Sequence, residues 1–324
     1  MGTNESGEGF PGNEWALILG GSSGFGLATA KRFARAGSNV LIVHRDRRSA
    51  LKDIQPRFDE IAALSEQSGA GFETWNADAS DAEKRSGTID EIAARIGFEG
   101  RIRLLLHSIA FGNLKLIAPE KVAARTAGPN LAKRLGVDPG KLTELADELF
   151  ASGEDGLHPL TSQTVYPDSS YLDEADFGRT ILAMGTSLLG WTQELFRRGL
   201  FAEDTRIFGL TSEGNEVAWK GYAAVSAAKV SLESLVRSIA VEFGPYGIRC
   251  NAIQAGVTLT PALQAIPGSA QLKSQALLRN PGGRLTTPED VAGVIFLLSQ
   301  KEAGWINGEV IRVDGGEHIS GSAR

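Results

Sequence analysis

The sequence predicts an α/β fold, a doubly wound parallel sheet flanked by helices, with a helical insertion after the fourth strand. Three observations predict it. Short apolar runs alternate with helical patterns from Trp15 onward. A glycine-rich turn closes the first run. The alternation then fails over about sixty residues after His107, far longer than an ordinary crossover loop. Apolar strands alternating with helices bury both faces of a parallel sheet, and right-handed crossovers wind it in two directions.

Each element has its own pattern. Trp15 to Leu19 is an apolar strand, and Gly24 to Ala36 a helix stopped by Gly37. Asn39 to Val43 is the second strand. A polar helical stretch from Arg47 to Gln67 carries Pro56, which bends it or divides it in two. Gly71 to Asn76 and Arg101 to His107 read as the third and fourth strands, around a helix from Asp81 to Ile96. Further on come a long helix at Leu172 to Arg198, a strand at Thr205 to Leu210 and a helix at Gly221 to Phe243. The chain then gives a strand at Ile248 to Ile253, a helix opened by Pro288-Glu289-Asp290, and a strand at Glu309 to Val313.

The 113–170 segment reads as a helical insertion, with helical patterns between Leu131 and Leu149 and Asp138-Pro139 opening one of them. Residues 1–12 are Gly-rich and polar and read as a loose tail, not a signal peptide. Residues 13–324 are then one domain. Of the 324 residues, 42% are hydrophobic and 22% charged, which is ordinary globular composition. A net charge of -6 argues against nucleic acid as the partner. No apolar run is long enough for a membrane span, and a cytoplasmic protein is the simplest reading. The single cysteine, Cys250, lies in a strand-like run and reads as a core residue. No metal site is expected.

The turn after the first strand is Gly20-Gly21-Ser22-Ser23-Gly24-Phe25-Gly26. Gly20 lets the chain turn sharply. Gly24 and Gly26 let backbone and helix approach a pyrophosphate, whose charge sits at a helix N-terminus. Ser22 and Ser23 add hydroxyl donors. In this strand–turn–helix setting the loop reads as a dinucleotide site of a Rossmann-like fold, the alternative being a plain strand–helix turn. An acid at the end of the second strand would hold the ribose hydroxyls of NAD. Here the strand ends Val43-His44-Arg45. Arg45 can pair with a 2'-phosphate and His44 can stack or bond beside it, so NADPH is expected over NADH. The alternative for Arg45 is a solvated charge offset by Asp46. After the third strand, Asp78 can accept the adenine amino group or cap the next helix.

Together with Tyr222 to Lys229, Asn251-Ala252-Ile253-Gln254-Ala255-Gly256 and Val313-Asp314-Gly315-Gly316, these features resemble the short-chain dehydrogenase/reductase superfamily. Two segments are most similar to its enoyl-acyl carrier protein reductases. One is His107-Ser108-Ile109-Ala110-Phe111, which has the His-Ser-Ile form of those enzymes. The other is the spacing of Tyr222 and Lys229, Tyr-x6-Lys in place of the classical Tyr-x3-Lys; the classical tyrosine position is Val225, which has no proton to give. Seven residues make almost two helical turns, so the two side chains share a face about 10 Å apart in rise.

The resemblance implies NADPH-dependent reduction of the C2=C3 bond of an enoyl thioester, with hydride going to the β-carbon. It implies that Tyr222 stabilises the enolate and that Lys229 holds the nicotinamide ribose. It also implies cofactor contacts from Phe25, Ala79, Ser108, Ile109 and Ala110, and from Gly256, Val257, Thr258 and Thr260 near the nicotinamide and pyrophosphate. Classical members place a catalytic Ser after the fifth strand. Thr211 fits that position and Ser212 adjoins it; either polarises the substrate or merely closes the strand. Many enoyl reductases carry an aromatic where this chain has Ser212, which leaves room in the pocket. Leu259 to Asn280 is the expected substrate lid, with Pro261, Pro267 and Gly268 as hinges.

In the insertion, Lys115, Lys121, Arg125, Lys133, Arg134 and Lys141 can meet phosphopantetheine or an acidic carrier protein. Glu120, Asp138, Glu144, Asp147 and Glu148 are interspersed, and a solvated helical surface explains the mixture as well. The expected partner is an acyl thioester on acyl carrier protein or CoA, and the expected assembly a homotetramer. Two rival functions remain. One is a ketoreductase or secondary-alcohol dehydrogenase of the same superfamily. The other is a non-catalytic NADPH-binding sensor.

Overall fold

The computed structural model describes residues 9–121, 126–152, 154, 157, 166 and 171–321. Seven strands form one sheet: β1 (Glu14–Leu19), β2 (Asn39–His44), β3 (Phe72–Asn76), β4 (Arg101–His107), β5 (Phe201–Ser212), β6 (Ile248–Ala255) and β7 (Val310–Val313). Their order is β3-β2-β1-β4-β5-β6-β7. All six pairings are parallel. The strand order reverses between β1 and β4, and the crevice at that switch point is where such sheets receive a ligand.

Strand residues alternate between two cores. Leu17, Leu19, Leu41, Leu105, Ile207 and Cys250 face one side, and Ile18, Ile42, Leu104, Leu106, Phe208 and Ile253 the other. The second side is covered by α1 (Gly24–Arg35), α2 (Leu51–Ser68) and α11 (Pro288–Leu298), through Phe33, Phe58 and Ile295. The first is covered by α3 (Ala82–Ile96), α7 (Ser187–Arg197) and α8 (Ala223–Glu242), through Ile92, Trp191 and Leu232. Cys250 is fully buried, which pushes its thiol pKa up and leaves it a core residue.

Four expectations need correction. Pro56 does not divide its helix: α2 runs on past it, because Ile54, Phe58 and Ile61 anchor one face to the sheet. The helix expected from Leu172 to Arg198 is α6 (Glu174–Ile181), a π-turn over Leu182–Thr186, and α7. At Gly185 an added Cβ would stand 2.7 Å from the Ala228 carbonyl oxygen, so the π-turn rests directly on α8. The helix expected from Gly221 starts at Ala223, which makes Tyr222 its cap residue. Residues 9–12 of the expected loose tail are tied down. Phe10 is buried 5.1 Å from the Phe33 ring, and its N–H donates to Ser38 Oγ at 3.0 Å; residues 1–8 lie outside the described residues.

The 113–170 segment also lies partly outside them. Within it stand α4 (Ala127–Leu135) and α5 (Pro139–Ala151). Asp138 caps α5, accepting from Gly140 N at 2.8 Å and Lys141 N at 3.2 Å. Its first residues belong to the main body: Asn113 N donates to Thr180 Oγ1 of α6 at 3.0 Å. Among the described residues no helix is long and apolar enough to cross a membrane.

Candidate active site

One cavity of about 590 Å³ opens over the C-terminal ends of the strands. It is lined by every residue singled out above as catalytic or cofactor-binding except Gly26. An added Cβ at Gly26 would stand 2.2 Å from the Gly20 carbonyl oxygen, so Gly26 serves the packing of α1 against the turn. Gly20 has φ 89°, and a Cβ there would meet the Ser108 carbonyl oxygen at 2.5 Å. The turn therefore lies against β4 with no room for a side chain. Ser23 precedes α1, and its side chain makes no capping hydrogen bond to the helix. The first N–H groups of α1 thus face a cavity walled by Ser22, Ser23, Gly24 and Phe25, a setting that suits a pyrophosphate.

At the end of the cavity beside β2 and β3, where the sequence places the adenosine, Arg45 Nη1 pairs with Asp78 Oδ2 at 2.6 Å, and its guanidinium carbon lies 3.9 Å from the Phe111 ring centre. Asp78, not Asp46, is therefore its counter-ion. Asp46 is taken by His44 Nδ1 at 2.7 Å. Asp78 is not a helix cap either: Asp81 caps α3, accepting from Glu83 N and Lys84 N. Partial burial raises the Asp78 carboxyl, but hydrogen bonds from Ser80 and Arg45 outweigh it and hold the pKa below the usual value. Ala79 shares this wall. Sequence reasoning missed Arg57, whose Nη1 donates to the Ser22 carbonyl at 3.0 Å. It sits mid-helix in α2, where only the fold brings it to the glycine turn.

The loop after β6 faces the turn. Thr260 Cγ2 would stand 3.3 Å from a Cβ at Gly24, and its hydroxyl caps α9 (Pro261–Gln264) by accepting from Leu263 N at 3.2 Å. Thr258 Oγ1 donates to the Gly256 carbonyl at 2.9 Å. The Val257 N–H donates to Glu317 Oε2 at 3.2 Å. Glu317 and Glu213 both grip Arg279, at the end of α10 (Ser269–Arg279), with Arg279 bidentate on Glu213 at 2.9 Å and 2.9 Å. The expected lid is therefore fastened to the end of β5 and to the C-terminal segment. Its anchors come from three distant stretches, and no sequence spacing marked them.

Tyr222 and Lys229 stand on this cavity from the start of α8. The Tyr222 hydroxyl is 3.3 Å from Ser212 Oγ. Burial raises its pKa, against the Ser212 hydrogen bond. Thr211 turns to the other face of β5 and donates to Glu233, as strand alternation requires. Of the two hydroxyls left open by the sequence, Ser212 is the one beside the tyrosine. Lys229 Nζ donates to the Leu210 carbonyl at 2.7 Å. Burial lowers its pKa to about 8, with Glu233 opposing. Val225 is buried among Met184, Tyr222 and Ala228 and offers only hydrocarbon. Beside them is Trp219, whose ring centre lies 5.3 Å from that of Tyr222. It supplies an aromatic that the sequence lacked at position 212. Its turn has no periodicity to betray it.

The insertion meets this site at its edges. Lys115, expected among its free cations, is bound to Asp176 of α6. Glu120 pairs with Lys220 at 3.0 Å. Phe150 of α5 lies 4.9 Å under Lys273 of α10. Arg125 lies outside the described residues.

A family profile described as short chain dehydrogenase matches residues 14–121, and one described as enoyl-(acyl carrier protein) reductase matches 162–318. The chain is 26% identical to the (2S)-[(R)-hydroxy(phenyl)methyl]succinyl-CoA dehydrogenase subunit BbsD of Thauera aromatica, over 95% of this chain and 97% of that one. It is 26% identical to 1-cyclohexenylcarbonyl-CoA reductase of Streptomyces collinus, over 94% of this chain and 86% of that one. The fold matches the enoyl-(acyl-carrier-protein) reductase of Anaplasma phagocytophilum in complex with NAD, with a TM-score of 0.64, 20% identity, and 96% and 94% of the two chains covered. The glycine turn, the Tyr222–Lys229 helix and these matches lead to one conclusion: the chain is an oxidoreductase of the short-chain dehydrogenase/reductase superfamily, whose members work with NAD(H) or NADP(H).

Proposed function

We propose that this enzyme reduces the C2=C3 double bond of an enoyl thioester with NADPH. One observation carries the reading: Tyr222 and Lys229, seven residues apart, both reach the cavity, while Val225 at the classical tyrosine position presents hydrocarbon. Reduced nicotinamide supplies hydride. In an enoyl thioester the β-carbon accepts it, two bonds from the carbonyl carbon, so the oxygen that gains charge lies farther out than in a ketone. A tyrosine set back along α8 matches that displacement. The Tyr222 hydroxyl hydrogen-bonds the thioester oxygen and stabilises the enolate, with Ser212 beside the phenol, and a proton from water or from Tyr222, itself reprotonated from water, then completes the reduction at the α-carbon. Lys229 holds the ribose hydroxyls, and its charge in a buried site strengthens that bond.

NADPH is favoured by charge. Arg45 and Arg57 flank the adenosine end, and His44 stands where a ribose-binding acid would be. Asp46 is occupied by His44. The relative named a CoA-ester reductase supports a thioester substrate. A homotetramer belongs to the same reading, since exposed Leu297 and Trp305 leave apolar surface beside the open edge strand β7.

A second reading is reduction at a carbonyl. The Ser212–Tyr222 hydroxyl pair suits it, as does the relative named a dehydrogenase. Optical NADPH oxidation with a trans-2-enoyl thioester, beside the matching 3-oxoacyl thioester, separates the two. Turnover of the enoyl substrate alone, lost in Tyr222→Phe, is the expected result. Turnover of the 3-oxo substrate alone moves the assignment to a ketoreductase. NADPH binding without either reaction favours a sensor.

A further inference from the structure

Tyr222 marks where the thioester oxygen lies, a placement that rests on the proposed function, and the acyl chain continues from there. What it meets is a closed apolar wall. Met184 of the π-turn and Val225 of α8 are buried, at 5% and 3% exposure. The Trp219 ring leans on that of Tyr222 at 60°. Leu114 and Ile266 complete the apolar cluster.

At Gly112 the wall is tightly packed. A Cβ added to Gly112 would stand 2.7 Å from Met184 Sδ, 2.8 Å from Thr180 Cγ2 and 2.9 Å from Val225 Cγ2. The loop is therefore pressed onto both helices with less than a methyl group to spare. It is also pinned there. Asn113 N donates to Thr180 Oγ1 at 3.0 Å, Asn113 Nδ2 to the Asp176 carbonyl at 3.1 Å, and Lys115 pairs with the Asp176 carboxylate. Just before Tyr222, Gly221 has φ 74°, and a Cβ there would stand 3.1 Å from Tyr166 Cε1 and 3.6 Å from the Leu114 carbonyl oxygen. The side of the site formed by the 112–114 loop is thus fixed on α6 and α8. Trp219, the largest side chain of this wall among the described residues, lies on the turn between β5 and α8 and outside those helices.

We propose that this site takes a compact hydrocarbon acyl group, and that Trp219 is the residue that limits its length. A chain long enough to pass Tyr222 runs into Trp219 and the Gly112–Leu114 loop. An apolar wall rewards hydrocarbon that fits and leaves the remainder in water. Each methylene that does enter such a wall strengthens binding about four-fold.

The test is equilibrium binding of saturated butyryl-, octanoyl- and dodecanoyl-CoA to the NADPH-loaded enzyme. In the natural enzyme, affinity should not increase from butyryl to dodecanoyl. In Trp219→Ala, octanoyl-CoA should bind at least about ten-fold tighter than butyryl-CoA, the gain expected from two or more newly buried methylenes. Trp219→Phe should show a smaller gain. An affinity that climbs steadily with length in the natural enzyme overturns the proposal. So does a Trp219→Ala profile parallel to the natural one. If that variant does not fold, the natural enzyme's own length series decides. Saturated thioesters are not reduced, so the binding profile stands independently of turnover. Failure to reduce any enoyl thioester, with length discrimination intact, would overturn the proposed reaction and leave the compact acyl site standing.

Discussion

The two ends of the cavity are built on opposite principles. At the proposed adenosine end, Arg45, Asp78 and Phe111 are all in contact with water, and charge would do the selecting. At the proposed acyl end, Tyr222, Lys229, Met184 and Val225 are buried, and shape and dryness would select. Exposed charges are screened by salt and interchangeable at modest cost. Buried groups are neither, because desolvation makes each hydrogen bond and each proton count. Adenosine binding and chemistry on the substrate should therefore be separable by mutation at Arg45 and Tyr222, and the comparison fails if they are not.

The sharpest separation is expected from Tyr222→Phe. Removing the hydroxyl proposed to face the thioester oxygen should lower kcat by about 10²- to 10³-fold, the range seen for loss of an oxyanion donor. NADPH affinity, measured by fluorescence titration, should stay unchanged. A comparable loss of cofactor affinity would mean that the two ends act as one unit.

Arg45→Ala probes the other end. A hydrogen-bonded charge lost from a 2'-phosphate should raise the KM for NADPH by about 10- to 100-fold. The KM for NADH should hardly move. Raising the salt concentration should erode the NADPH advantage of the natural enzyme in the same direction. Equal effects on both cofactors would assign Arg45 to its pairing with Asp78 and Phe111 alone.

The acyl end also carries a pH signature. Burial holds the Lys229 ammonium near pKa 8, below its ordinary value of 10.5. Above pH 8 it loses its proton, and kcat/KM should fall about ten-fold per pH unit where a single group governs the rate. Stability runs the other way. The unfolded chain keeps that proton up to the ordinary value, so unfolding takes up a proton between pH 8 and 10.5. Lys229 therefore makes folding more favourable as pH rises through that window. Thermal unfolding of Lys229→Met should lack this rise relative to the natural enzyme. An identical pH trend in both proteins would remove Lys229 as its source.

The same division explains what could be read in advance. Periodicity carries the sheet and most helices, since strand alternation and helical spacing record burial residue by residue. The glycine turn was legible because Gly20 must adopt a positive φ against Ser108. Tyr222 and Lys229 were legible because their separation is fixed along one segment. Trp219, Arg57 and Glu317 were not. Each acts through a partner distant in sequence or from a turn without periodicity, and a single chain does not record such pairings. The choice between Thr211 and Ser212 needed the strand's orientation, which only the neighbouring α8 settles through Glu233. The π-turn hid inside a sequence of good helix formers, because its cause is the close approach of α8 at Gly185.

The smallest effect is expected between the two ends, at Arg279. Its guanidinium ties the lid to Glu213 and Glu317, and Glu317 in turn holds the Val257 N–H. Arg279→Lys keeps the charge but loses the planar fork that satisfies two carboxylates at once. The pairs are partly exposed, so the lid should loosen without unfolding, and KM for the thioester should rise about two- to five-fold. Burial raises the Glu317 pKa, with Val257 and Arg279 acting against it. A weakened Arg279 contact should push it higher still, so the KM defect of the variant should grow as pH falls into the carboxylate range. NADPH affinity should hold, because Val257 N–H remains bonded to Glu317 and the adenosine end is untouched. If NADPH affinity falls together with thioester affinity, Arg279 links the lid to the nicotinamide loop, and the boundary between the two ends lies closer to the adenosine than the buried cluster around Tyr222.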